Sequence, residues 1–112
     1  MKKLDIIVKP EKLEELQNIL EECEVTGLMV TKLMGYGNQK GVTQVYRGSV
    51  YDVKLLPKVK VETIVSDDKA VIIKKRVVEG ISSGHFGDGK IFETTIDDAV
   101  RIRTGESGEG AI

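Results

Sequence analysis

The segment Lys58 to Ser66, KVKVETIVS, alternates with period two: Val59, Val61, Thr63 and Val65 fall on one side and Lys58, Lys60 and Glu62 on the other. Alternation this regular requires a β-strand with one apolar and one polar face. A lone strand is not stable in water, so the chain must also supply partner strands and a layer to cover the apolar face. Leu4, Ile6 and Val8 alternate near the start, with Ile7 pointing the other way, and Leu28 to Met34 forms another strand after a break at Thr26-Gly27. Between them Pro10 suits a first helical position, and Leu13, Leu16, Ile19, Leu20 and Cys23 recur at helical spacing, which predicts a helix over about 10–23.

Beyond the alternating strand, Ser66-Asp67-Asp68 supplies a cap and negative charge for a second helix ending near Gly80, with Val71, Lys74 or Lys75, Val78 and Ile81 sharing one side. A glycine-rich loop over about 82–90 leads to a strand at Ile91 to Thr95. A short last strand is expected from Ala99 to Arg103, followed by a mobile Gly/Ser/Glu tail over about 104–112. The order is βαββαβ, an α+β ferredoxin-like sandwich with two helices on one face of an antiparallel sheet. At 112 residues the chain is one domain, and a domain of this size gains from assembly into an oligomer.

Between the second and third strands lies a stretch of another character, Gly35 to Pro57, GYGNQKGVTQVYRGSVYDVKLLP. It lacks helical periodicity and exceeds the usual length of a connection, which marks a functional loop over about 36–55. Val42, Val45, Tyr46, Val50 and Tyr51 have the β-propensity for a ribbon turning near Arg47-Gly48.

The chemistry on offer is anion binding. Gly84, Gly87 and Gly89, with Lys90, nearly spell a Walker A loop, but Ile91 stands where that motif needs Ser or Thr, and a strand follows where it needs a helix. The glycines can still turn backbone N–H groups toward one anion; a plain turn with Asp88 as turn residue accounts for them equally well. On one strand, Arg101 and Arg103 would share a side and offer two guanidinium forks to phosphate oxygens, and Lys58 and Lys60 share a side in the same way. Lys74-Lys75-Arg76 reads as a solvated helix face.

Several classes fall away. The 17 Lys and Arg against 18 Asp and Glu create no general field for nucleic acid or lipid. Aromatic residues at 4% cannot build a base-stacking platform like that of RNA-recognition domains, so neither nucleic acid nor lipid is expected as a partner. One His and one Cys, the latter on an apolar helix face, provide neither a catalytic constellation nor a zinc site. No segment approaches a membrane span, and the start lacks a signal-peptide run, so a cytoplasmic address is expected. An anion site beside a movable loop suggests a sensor, not an enzyme.

Five segments then occur together and in order: QKG at Gln39 to Gly41, YRG followed by Tyr51, LPKVK at Leu56 to Lys60, GDGKIF at Gly87 to Phe92, and RIRTGE at Arg101 to Glu106. With them the chain resembles the PII (P-II) nitrogen-regulatory signal proteins along essentially its whole length. The resemblance implies a homotrimer that binds ATP or ADP in clefts between subunits, with 2-oxoglutarate joining Mg-ATP. It implies that Gly87, Asp88, Gly89 and Lys90 hold phosphates, that Arg101 and Arg103 add guanidinium contacts, and that Gly35, Gly37, Asn38 and Gln39 come from the neighbouring chain. Ile7, Met29, Glu62 and Ile64 would line adenine and ribose. Gln39 would ligate Mg2+, and Lys58 would pair with a 2-oxoglutarate carboxylate beside Lys40, Gly41 and Gly87.

The same resemblance makes Tyr51 a uridylylation candidate for a nucleotidylyltransferase and Ser49 a phosphorylation candidate. It makes Arg47 the residue offered to an ammonium transporter, which would recruit the protein to the membrane; nitrogen-assimilation enzymes or regulators are the other implied targets. The sequence departs from the family pattern at Asn38, where Arg is frequent, at Met29, where Thr is, and at His85-Phe86, where Lys-Ile is. These changes predict weaker ATP binding or an altered ATP/ADP preference, and a 2-oxoglutarate pocket narrowed by Phe86. The rival readings are a PII-like module for another effector, such as bicarbonate or a different nucleotide, and a small ATP-hydrolysing enzyme.

Overall fold

A computed structural model describes residues 1–36 and 55–112 in full and, between them, the backbone pairing of 44–46 and 49–51. Strand β1 spans Lys2–Val8 and leads through a single 3-10 turn, Pro10–Lys12, into helix α1, Leu13–Glu22. Strand β2 covers Met29–Gly35, and the short strands β3, Gln44–Tyr46, and β4, Ser49–Tyr51, pair with each other as the expected ribbon. Strand β5 runs Leu56–Val65, helix α2 Asp67–Ile81 and strand β6 Lys90–Thr95. The main sheet has the order β2-β5-β1-β6 with every neighbour antiparallel, which is the ferredoxin-like arrangement.

The alternation that opens the sequence reading organises the core. Val59, Val61, Thr63 and Val65 are all buried, as are Leu4, Ile6 and Val8 of the adjacent strand. Against them pack Leu16, Leu20 and Cys23 of α1 and Ala70, Ile73, Val77 and Ile81 of α2. Among the described residues Thr63 is the one buried polar member, and its hydroxyl donates to the Gly27 carbonyl at 2.7 Å, so the group is satisfied and ties β5 to the α1–β2 connection.

The end of α1 near residue 23 is as expected, and Glu24 closes it: Glu24 takes a left-handed φ of 59°, its N–H donates to the Glu21 carbonyl, and Val25 N–H reaches back to Leu20, the two bonds of a Schellman ending. Three local expectations are corrected. In α2, Val71 and Val78 face solvent, and Ala70, Ile73 and Val77 with Ile81 make the inner side. The Ser66 cap is as expected, its hydroxyl accepting from Lys69 N–H at 3.3 Å. Residues 99–103 do not form a strand; they enter a turn in which Val100 bridges Ser107 and Arg101 N–H donates to the Glu106 carbonyl at 2.8 Å. The tail does not hang free but closes with a 3-10 turn, Gly108–Ala111.

Both helices cover the same side of the sheet. The other side carries Lys3, Asp5 and Ile7 of β1, Lys58, Lys60, Glu62 and Ile64 of β5, the Met29–Leu33 alternation of β2, and Lys90 and Phe92 of β6. No helix of the chain lies over it among the described residues, and Met29 and Phe92 on it are exposed.

Candidate functional site

The glycine-rich loop between α2 and β6 owes its shape to three left-handed positions and one carboxylate. Gly84, Gly87 and Gly89 have φ of 77°, 92° and 111°, a region open to glycine at no steric cost. At Gly89 glycine is required twice over, since a Cβ would lie 1.8 Å from the Ile7 carbonyl oxygen. Asp88 turns its carboxylate back into the loop, accepting from Ser83 N–H at 2.8 Å, from the Ser83 hydroxyl at 2.5 Å and from Gly84 N–H at 3.1 Å. The Ser83 hydroxyl, its backbone N–H and the Gly84 N–H hold this carboxyl below the usual carboxylate range. The Asp88 carboxylate therefore braces the loop from within.

This loop forms one wall of a cleft of about 510 Å³. Lys58 enters from β5, its ammonium donating to the Gly87 carbonyl at 3.2 Å, and Lys90 enters from β6 opposite Ile7. Gly35, at the end of β2, lines the same cleft as its own chain's Gly87–Lys90, although the sequence reading drew it from a neighbouring chain. Sequence reasoning also left out Tyr36, Leu33, His85 and Phe92 as lining residues. Phe92 was legible, since it stands two residues beyond Lys90 on one strand and so shares its face.

The remaining expected contacts gather elsewhere. Met29, Glu62, Ile64 and Arg101 line a second cleft of about 490 Å³ with Lys3, Gly27, Leu28, Ala111 and Ile112. Lys3 and Lys60 approach the Glu62 carboxylate at 3.6 and 3.9 Å. Arg101 is engaged by Glu106, Nη1 to Oε1 at 3.2 Å, and Arg103 is exposed in the following turn, so the two guanidinium groups do not stand side by side on a strand. The two clefts occupy opposite ends of one sheet face. Lys58 and Ile64 are six positions apart on β5, which is about 20 Å at strand rise.

Gly37, Asn38, Gln39, Lys40, Gly41 and Arg47 lie outside the described residues, and Ser49 and Tyr51 are described only as backbone members of β4. Among the described residues no three His, Cys, Asp or Glu side chains cluster as a metal site. Nor is any helix among them long and apolar enough to cross a membrane.

A family model described as nitrogen regulatory protein P-II matches residues 1–106. The chain belongs to the P-II family. Proteins named nitrogen regulatory protein P-II from Cereibacter sphaeroides and Rhizobium meliloti are 46% and 45% identical over all 112 residues and the full length of each relative. One named nitrogen regulatory protein P-II 2, from Methanothermobacter thermautotrophicus, is 46% identical over the whole chain and 97% of its own length. P-II proteins are regulators of nitrogen metabolism and not enzymes, and this chain is a P-II signal protein. The GDGK loop and the LPKVK strand, on which the sequence resemblance rested, meet at the Lys58–Gly87 hydrogen bond.

Proposed function

We propose that this P-II protein is a homotrimeric sensor that binds ATP and ADP competitively between subunits and 2-oxoglutarate together with Mg-ATP. Its ligand state is passed to partner proteins through the 36–55 loop. The observation that carries the reading is the division of the expected nucleotide residues between two clefts of one chain. Gly35, Ile7 and Gly87–Lys90 sit in one, and Met29, Glu62, Ile64 and Arg101 in the other, with Lys58 of the first and Ile64 of the second about 20 Å apart along β5. The two groups of residues do not share one pocket, so the phosphate half of one chain would meet the base half of the next. The uncovered sheet face, half apolar and carrying both clefts, is a suitable surface for such an assembly.

In this arrangement the glycine loop, Lys90 and the arginines neutralise the polyphosphate, and Gln39 would complete the coordination of Mg2+ brought by the nucleotide. Lys58 would exchange its Gly87 carbonyl for a 2-oxoglutarate carboxylate, helped by Lys40 and Gly41. Binding then biases the loop through differential affinity for its conformers. Arg47 would engage an ammonium transporter, drawing a cytoplasmic protein to the membrane, and nitrogen-assimilation enzymes would be reached by the same loop. A nucleotide added to Tyr51, or a phosphate on Ser49, would block that docking by volume and charge.

Calorimetric titration of Mg-ATP with and without 2-oxoglutarate, and of ADP, tests the reading. The expected result is ATP binding strengthened by 2-oxoglutarate and ADP binding that is not. Nucleotide binding indifferent to 2-oxoglutarate would favour a different second effector, the reading to which the bulky Phe86 in the Lys58 cleft lends support.

A further inference from the structure

The middle of the uncovered sheet face is charged and poorly paired. Asp5 of β1 stands between Glu62 of β5 and Phe92 of β6, and Met29 of β2 lies beyond Glu62, so one row across the sheet reads Met29, Glu62, Asp5, Phe92. The two ends of the row are apolar and exposed, as at a surface that meets another chain. Its two carboxylates share Lys3, whose ammonium lies 3.6 Å from Asp5 Oδ2 and 3.6 Å from Glu62 Oε1. Lys60, one row along β5, approaches Glu62 Oε1 at 3.9 Å. None of these contacts is short enough for a hydrogen bond.

Asp5 Oδ1 bears the consequence. The oxygen is buried and finds no donor among the described residues. A buried acceptor without a partner is costly, and native structures hold few of them. The same face carries the matching excess. Lys60 has an ammonium with three protons and makes no hydrogen bond among the described residues, and the nucleotide reading gives it no role. Within one chain Lys60 stands opposite Ile7, diagonal to Asp5, and turns toward Glu62 instead. A second copy that presents this face brings a donor without an acceptor against an acceptor without a donor.

We propose that Asp5 is an assembly contact, its Oδ1 accepting a hydrogen bond from the Lys60 ammonium of a second copy of this chain. The proposal rests on the trimer reading above and gives that assembly a polar lock in the middle of the sheet face. Each junction between copies then holds one such bond, and the orphaned oxygen of the single chain is satisfied.

The test is subunit exchange. Isotope-labelled and unlabelled protein are mixed without nucleotide, with urea raised until wild type exchanges measurably while folded, and the mixed species are followed by native mass spectrometry. Wild type, Asp5→Asn, Lys60→Gln and the double variant are compared. Each single variant is expected to exchange about tenfold faster or more, the effect of losing a charge-assisted hydrogen bond at every junction. The double variant is expected to exchange no faster than the faster single one, since both substitutions remove the same bond. Lys60→Gln alters a more exposed side chain and carries the test if Asp5→Asn does not fold. Wild-type exchange in either folded single variant, or effects that multiply in the double variant, overturns the pairing and leaves the trimer reading standing. Wild type that is a monomer throughout removes the pairing and the trimer reading together.

Discussion

Asp88 shows how a single side chain can be near a site and yet serve the scaffold. Its oxygens accept three hydrogen bonds from residues four and five positions earlier, all of which favour the charged form. Because the folded-state value is depressed, the carboxylate contributes stability that is complete above the ordinary unfolded value of about 3.9 and is lost as pH falls through the folded one. In Asp88→Asn the amide keeps an acceptor but not the charge. The stability gap between wild type and variant in urea should therefore be full near neutrality and close as pH drops below about 4. A gap of constant size across that range would mean that the charge of Asp88 contributes nothing to the cradle.

At the scale of elements, the structure separates signals that one sequence could carry from those it could not. The β5 alternation was legible because Val59, Val61 and Val65 leave no ambiguity of face, and the Ser66 cap because hydroxyl and acidic residues stand in the expected order. The inner face of α2 was not legible: apolar residues at 70–73 and again at 77–78 place candidates on several sides, so periodicity could not choose. Tertiary packing chooses, setting Ile73 at full burial while Val71 is 64% exposed. Ile73→Ala should cost about 2–5 kcal/mol in denaturant unfolding, whereas Val71→Ala should stay within about 0.5 kcal/mol. Equal costs would place Val71 on the inner face instead. The segment AVRIR misled in the opposite way, since its alternation imitates a strand, yet Gly105 at φ 74° folds the chain back so that Arg101 meets Glu106. The end of α1 was legible where the helical apolar spacing stops at Cys23, but the left-handed Glu24 that closes it was not, because a glutamate in that conformation has no compositional mark.

At the scale of the whole molecule, the motifs named the family from the sequence, but only the topology revealed how the site residues are distributed. The GDGK loop and the Met29–Glu62 pair occupy opposite ends of one sheet face, so on the proposed reading a subunit is complete in fold and incomplete as a nucleotide site. This has a consequence in mixed oligomers that a site contained within one chain cannot reproduce. If the protein assembles as proposed, Lys90→Ala damages the phosphate half and Arg101→Ala the other half, and either variant should lose ATP affinity, by at least about 1.5 kcal/mol for each charge-assisted contact removed. When the two variants are unfolded together and reassembled, every mixed trimer contains one junction where an intact phosphate half meets an intact base half. ATP affinity of the wild-type kind should return at that junction, with a stoichiometry near one per mixed trimer. Weak binding throughout the mixture would instead require both halves to act within one subunit. That would remove the reason for the proposed trimer as well, since the uncovered face would no longer need a neighbour to complete it.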